Sequence, residues 1–437
     1  MKLVLFLVFV LVQPLRAGEA VAFAVFDDPS LDALIGRAFE NNADLAAAAA
    51  RVDQARALAG AARADFYPQV SAGGNASRRS GLDTGYSASD HASLSGVASW
   101  EPDLWGRIRK ASTSARADAG AAEALLAAAR VSLAAEVAQT HYALLATGLE
   151  KAAVERGADT RRDARRIIAD RVEIGTASPL DLARADTELA SAEAELAAIA
   201  QRSADLGDSL AALLGSETAV EAEVASGLPP APAIPADLPS DLLRRRPDVA
   251  AAQLAMDAAS ARIGVARAAF FPTISLTGGA GWESADFSDL ISGDTRVWSF
   301  GPKLYLPLFQ GGRNRANLNR AQAAFAEQSA RYRQAVVLAF RDVRSALAAT
   351  RFTAEQEAAT ERAFKAARRA ADLSRIRYDA GAVSYLEVVD AERTALEAER
   401  ASARLRGQRL VAAAGLVRAL GGGWENPRTD GVIVARK

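Results

Sequence analysis

Ala64-Asp65-Phe66-Tyr67-Pro68 is written a second time, about two hundred residues further on, as Ala268-Ala269-Phe270-Phe271-Pro272. Around that pair other segments recur in the same order. Ala43-Asp44-Leu45 matches Pro247-Asp248-Val249, and Gly106-Arg107 matches Gly312-Arg313. Arg171-(x3)-Gly175-(x2)-Ser178-x-Leu180-Asp181 matches Arg377-(x3)-Gly381-(x2)-Ser384-x-Leu386-Glu387. Ordered self-similarity at one spacing marks a duplicated architecture. The chain divides into a first repeat over 23–214 and a second over 247–420. Residues 215–246 form the segment between them, and 421–437 form a tail. Each half reads as helix, strand pair, long helix, turn and returning helix.

The long helices are expected over 107–173 and 313–379, two stretches without proline. At 1.5 Å per residue, a continuous helix of that size runs roughly 100 Å. A compact globule has no use for such a rod, whereas a coiled or tubular assembly does. The returning helices are expected over 178–213 and 384–420. They carry sevenfold rows: Val389, Leu396, Ala403, Leu410 and Val417 in one, Leu182, Leu189, Leu196, Ser203 and Leu210 in the other. A second row, Ala192, Ile199, Leu206 and Leu213, runs beside the latter. Such rows form packing seams, and the surrounding alanines let axes approach closely. Taken alone, these helices would equally suit an ordinary bundle.

Strand candidates fall at about 68–100 and 273–309: Pro68 to Arg79 with His91 to Trp100, and Thr273 to Glu283 with Val297 to Phe309. Leu94, Gly96, Ala98 and Trp100 alternate with Ser93, Ser95, Val97 and Ser99. Trp298, Phe300, Leu304, Leu306 and Leu308 oppose Ser299, Lys303 and Tyr305. An apolar face against a polar one over about ten residues is the membrane-barrel pattern. Loops near 80–90 and 284–296 would join the strands outside the cell. Four strands cannot close a barrel, and open sheet edges are not viable in lipid. The barrel is therefore expected to be shared between chains. Two copies would give eight strands and a plugged interior; three would give twelve and an open one.

Composition agrees with that class. Hydrophobic residues reach 50% of 437, yet aromatics are only 6%. Lys+Arg at 52 against Asp+Glu at 53 argues against a nucleic-acid binder, which is normally clearly basic. Met1, Lys2, an apolar run from Leu3 to Val12 and small residues at Ala17, Ala20 and Ala22 read as a secretory signal over 1–22. That run is too short for a membrane-spanning helix. Cysteine is absent, which excludes disulfides and a lipidated cysteine. The only histidines, His91 and His141, lie far apart, so no metal site is expected. No phosphate-binding glycine loop or nucleophile elbow occurs, so neither cofactor nor catalytic residue is assigned.

Four stretches then become specific. They are Trp100-Glu101-Pro102-Asp103-Leu104-Trp105-Gly106-Arg107, and Leu238 through Asp248, which includes Arg244-Arg245-Arg246-Pro247. The others are Phe271-Pro272-Thr273-Ile274-Ser275-Leu276, and Gly301 through Phe309 followed by Gly311-Gly312-Arg313. Together with the duplication they resemble the TolC/OprM-like outer-membrane efflux factor family, especially its OprM/NodT-like lipoprotein branch, over nearly the whole chain. The resemblance implies a mainly α homotrimer whose twelve-stranded β-barrel continues into a twelve-helix periplasmic α-barrel. Its equatorial belt would map to 215–246 and the C-terminal tail. It implies an exit duct in the outer membrane that reaches into the periplasm. Small molecules would pass through it passively, delivered by a periplasmic adaptor protein and an inner-membrane pump of the RND type. A duct for type I protein secretion shares this fold, and a non-conducting coiled-coil scaffold is the rival of a different class.

The two turns between the long and returning helices are candidate sites. Ser178 with Asp181, and Ser384 with Glu387, have capping-box spacing, and Pro179 suits a first helical position. Gly175 and Gly381 suit left-handed helix ends. From the residues alone these are well-made hairpin turns. The resemblance implies that Ile174, Gly175, Thr176 and Ser178, with Ala380, Gly381, Ala382 and Ser384, dock the adaptor. It also places Glu387 and Asp390 as carboxylate rings at a narrow periplasmic mouth, with Tyr378 and Asp181 linked to hold that mouth shut. A solvated acidic helix start reads the same carboxylates without a gate. Val383 stands where the family has a basic residue.

Overall fold

The computed structural model describes residues 23–79, 89–220, 227–232, 246–285, 287–291 and 293–422. The expected signal segment, part of the loop near 80–90, most of 215–246 and the tail beyond 422 lie outside the described residues. Seven helices are described: α1 (Pro29–Asn41), α2 (Ala43–Ala64), α3 (Arg107–Glu173), α4 (Pro179–Leu213), α5 (Pro247–Ala268), α6 (Arg313–Asp379) and α7 (Tyr385–Ala419). Four strands accompany them: β1 (Gln69–Arg79), β2 (Ser89–Trp100), β3 (Thr273–Ser284) and β4 (Arg296–Tyr305). The proline-free runs are single helices of 67 residues each. β4 ends at Tyr305, four residues short of the expected Phe309. Pro307, which has no N–H to donate, follows two residues later.

The compact units are not the sequence repeats. Among the described residues, one comprises those of 49–125 and 249–335, the other those of 23–48, 126–248 and 336–422, so each draws on both halves. The first unit holds the sheet, antiparallel throughout in the order β1-β2-β3-β4. Its register keeps like with like. Leu94 pairs with Trp282, Trp100 with Leu276, Ile274 with Leu304, and Ala280 with Trp298. Val70 meets Ala98, which extends this apolar face across β1. The other face pairs Gln69 with Ser99, Ser99 with Thr277, and Thr273 with Tyr305. Since side chains alternate strictly, a one-residue slip would turn every apolar group to the polar side.

The Trp100–Arg107 motif is the corner that turns β2 into α3. The Asp103 carboxylate accepts from the Ile108 and Arg109 N–H groups at 3.0 and 2.9 Å, capping the first turn. Arg107 donates twice to Glu101, at 3.0 and 2.8 Å. Trp105 stacks on Phe271 with ring centroids 4.9 Å apart and donates its indole N–H to the Pro272 carbonyl.

The second unit is packed largely through alanine. Its core gathers Phe23, Phe26, Leu31, Tyr142, Leu210 and Leu410 around Ala134, Ala135, Ala138, Ala413 and Ala414. In α4 the deepest line is Ala185, Ala192 and Ile199, while Leu182, Leu189 and Leu196 stay half-buried. In α7 it is Val388, Ala395 and Ser402, one residue ahead of the expected Val389, Leu396 and Ala403. The seam rejoins that row at Leu410 and Val417. Small side chains take the line of closest approach, so leucines stand beside it. An α-helix also drifts about 20° per heptad, which moves the buried row by a residue. Arg246 of the Arg-Pro-Asp motif is buried. It binds Asp248 at 3.0 and 2.7 Å, Asp342 at 3.3 Å and the Ala419 carbonyl at 3.2 Å, joining the start of α5 to α6 and α7.

Candidate functional site

Both helix-ending turns are built alike. Gly175 has φ 75° and Gly381 φ 72°, the left-handed region that glycine enters without a Cβ clash. The Gly175 N–H bonds the Val172 carbonyl, and the Thr176 N–H bonds that of Arg171. Gly381 and Ala382 repeat this with Tyr378 and Arg377. That pair of bonds is the Schellman closure, which satisfies carbonyls that the helix leaves open. A Cβ at either glycine would meet nothing within 4 Å, so both tips face open space. Ile174 at 72% exposure, Leu180 at 58% and Leu386 at 49% stand beside them. The sequence reading missed Leu180 and Leu386 as surface groups, although each occupies the same place in the recurring Ser-x-Leu-acid motif.

The expected capping boxes are not formed as reciprocal pairs. The Ser178 hydroxyl accepts from the Leu180 N–H at 3.1 Å, while Ser384 makes no side-chain cap. Glu387 instead reaches back to Arg377 at 3.3 Å, and Asp181 lies 3.9 Å from Arg184. Arg171, the counterpart of Arg377, donates to the Tyr378 hydroxyl at 2.9 Å, with its guanidinium 5.9 Å from the ring centroid. Within one chain Tyr378 is therefore joined to Arg171 and not to Asp181. The shorter aspartate side chain is met by its own helix, which frees Arg171 to cross between the hairpins. Asp390 pairs with Arg393 at 2.9 Å. Tyr385 lies against Tyr378 with centroids 5.8 Å apart. Burial, then the Glu392 charge and Tyr378, push its phenol up to about 12. These exposed ion pairs contribute little to stability individually. The contact that joins the two hairpin tips is the Arg171–Tyr378 hydrogen bond.

Further along the same helices lies a feature that the sequence reading did not isolate. Glu150 of α3 is 1% exposed. Arg400 of α7 donates to its Oε1 at 2.8 and 3.1 Å, and Arg202 of α4 to its Oε2 at 3.1 Å. Arg404 approaches to 3.6 Å, and Arg400 also binds Glu195 of α4. One buried carboxylate thus ties together the long helix of the first repeat and both returning helices. Five charged residues scattered between 150 and 404 give no local signal, which is why spacing could not find them. The basic group Arg161, Arg162, Arg165 and Arg166 pairs with acids, including Arg165 with Asp186 at 2.7 Å. Among the described residues no cluster of histidine and carboxylates could hold a metal, and no helix is long and apolar enough to cross a membrane.

Comparison with known proteins places this arrangement. A family model described as outer membrane efflux protein matches residues 34–216 and 238–422. The chain is 34% identical over 414 residues to the toluene efflux pump outer membrane protein TtgC of Pseudomonas putida, covering 91% of this chain and 84% of that protein. It is 34% identical over 403 residues to the cation efflux system protein CusC of Escherichia coli, covering 92% and 87%. The solved open state of the MtrE outer membrane channel of Neisseria gonorrhoeae superposes with a TM-score of 0.84 at 33% identity, covering 94% of both chains.

Proposed function

This chain belongs to the outer membrane efflux protein family, and from that premise we propose that three copies form one exit duct. Four strands from each would close a twelve-stranded barrel in the outer membrane, and the long and returning helices would continue it as a twelve-helix tube into the periplasm. One observation carries this reading. The sheet is apolar on a single face across all four registered strands, and it ends in two edges, β1 and β4, that have no strand partner among the described residues. Such a face belongs against hydrocarbon, and such edges are intolerable there, since each unpaired backbone group costs several kcal/mol. A second and third copy remove them.

Transport through this duct is passive, with energy supplied by an inner-membrane pump of the RND type. The tips around Gly175 and Gly381, with Ile174, Thr176, Ser178, Ala380, Ala382 and Ser384, receive a periplasmic adaptor. Their open surroundings and the exposed Ile174, Leu180 and Leu386 support that role. Glu387 and Asp390 form acidic rings at the mouth. The Tyr378–Asp181 link, absent within one chain, would have to be made between copies. Relatives of equal similarity are named for toluene and for cation efflux. A duct wall that touches everything passing through it selects weakly, so small molecules of several classes fit. The test is the mass and conductance of the purified protein in detergent and planar bilayers. A trimer with β-signal and discrete channels is expected; a monomer, or a trimer that never conducts, refutes the duct.

A further inference from the structure

On the polar face of the sheet, Lys303 of β4 stands opposite Ser275 of β3. Its side chain is exposed, and it has no ion pair among the described residues. Glu283 and His91, also on this face, lie 3.7 Å from each other. They sit at the far end of the strands, about 26 Å along β3 from Ser275. Nor does the β1 strand of a neighbouring copy supply an acidic partner. If its β1 adds to the free edge of β4, apolar must meet apolar. That register condition brings Gln69, Ser71, Gly73, Asn75 and Ser77 onto the polar face, and none is acidic. No β1 strand residue of such a copy compensates Lys303 in any register that keeps the faces matched.

We propose that Lys303 sets the charge preference of the barrel. Three copies place three unpaired ammonium groups around the lumen at the end where the chain passes from β4 toward α6. That collar admits solutes bearing carboxylate, sulfonate or phosphate ahead of cations of the same size. It raises their local concentration and does not bind them tightly, because a solvated charge acts over only about 10 Å at 0.1 M salt. The inference rests on the shared-barrel reading above and adds to it a residue that determines specificity.

Reversal potentials of single channels in a KCl gradient test it. The variants Lys303→Glu, Lys303→Gln and Lys303→Arg are compared with the parent. All are also measured with Glu387→Ala and Asp390→Ala, so that the tips do not set the selectivity. At 0.1 M, Lys303→Glu should move the K+/Cl− permeability ratio toward cations by roughly twofold, fading at 1 M as screening shortens. Lys303→Gln should give a smaller shift in the same direction, and it serves if Lys303→Glu fails to assemble. Lys303→Arg should keep the parent ratio. Open channels of Lys303→Glu or Lys303→Gln with the parent ratio at 0.1 M overturn the inference. A parent protein that never conducts fails differently, because it removes the barrel and with it the collar.

Discussion

Replacing Glu150 by alanine removes a carboxylate that three arginines share. The side chains of Arg202 and Arg404 are 49% and 48% exposed, so they can turn to water at little cost. Arg400 is 14% exposed and cannot. It loses two charge-assisted hydrogen bonds and keeps only Glu195. Such bonds contribute about 1.5–3 kcal/mol each, and the surviving Glu195 contact offsets part of that loss. The expected destabilisation is about 3 kcal/mol per chain, the lower end for stripping a buried ion of its partner. Replacing both charges, Glu150→Leu with Arg400→Met, should recover at least about 2 kcal/mol, because no ion is then left buried. Guanidinium unfolding of the purified protein in detergent, followed by helical circular dichroism, measures both. The reasoning fails if Glu150→Ala lies within about 0.5 kcal/mol of the parent. It fails equally if the double variant is no more stable than the single one.

Three further outcomes can be measured. A methyl group at Gly407 would run into the Ala146 side chain of α3, so Gly407→Ala should destabilise by about 1–3 kcal/mol in the same assay, although alanine is the better helix former. Acidification should loosen α1, read as hydrogen exchange of its amides. Burial lowers the His141 imidazole below its ordinary 6.5, outweighing the pull of Asp28, so the unfolded chain takes up that proton first. Stability held by the neutral ring is full above 6.5 and is lost as pH falls from there to the lowered value; His141→Asn should abolish this loss. Burial favours the neutral Asp28 acid, but hydrogen bonds from Ser30 and Leu31 and the charge of His141 bring it below 3.8, so a second loss begins only there. At the tips, Gly175→Leu with Gly381→Leu should abolish drug export in cells while trimers remain in the membrane, and normal resistance would refute adaptor docking at these turns.

Local chemistry was largely legible. Freedom from proline marks α3 and α6, and alternation marks the strands because a half-buried sheet imposes a period of two. Glycine at 175 and 381 marks helix ends because the turns there need a left-handed residue. Packing was less so. The row through Ala192 and Ile199 in α4 is buried as expected, whereas of the other two rows only Leu210, Leu410 and Val417 are. Closest approach depends on the distance and drift between axes, which no single helix encodes. The capping boxes failed for a related reason: Glu387 had a stronger partner in Arg377, on the preceding helix.

The sequence by itself determined the duplication, the rods, the two-faced strands and the positions of the turns. Each follows from interactions within a few residues or from repetition along the chain. The tertiary structure decided which charges meet. Glu150 found Arg400 and Arg202, Arg171 found Tyr378 and left Asp181 to its own helix, and Lys303 has no ion pair among the described residues. Ion pairs form wherever folding brings side chains within reach, and that distance bears no relation to separation along the chain.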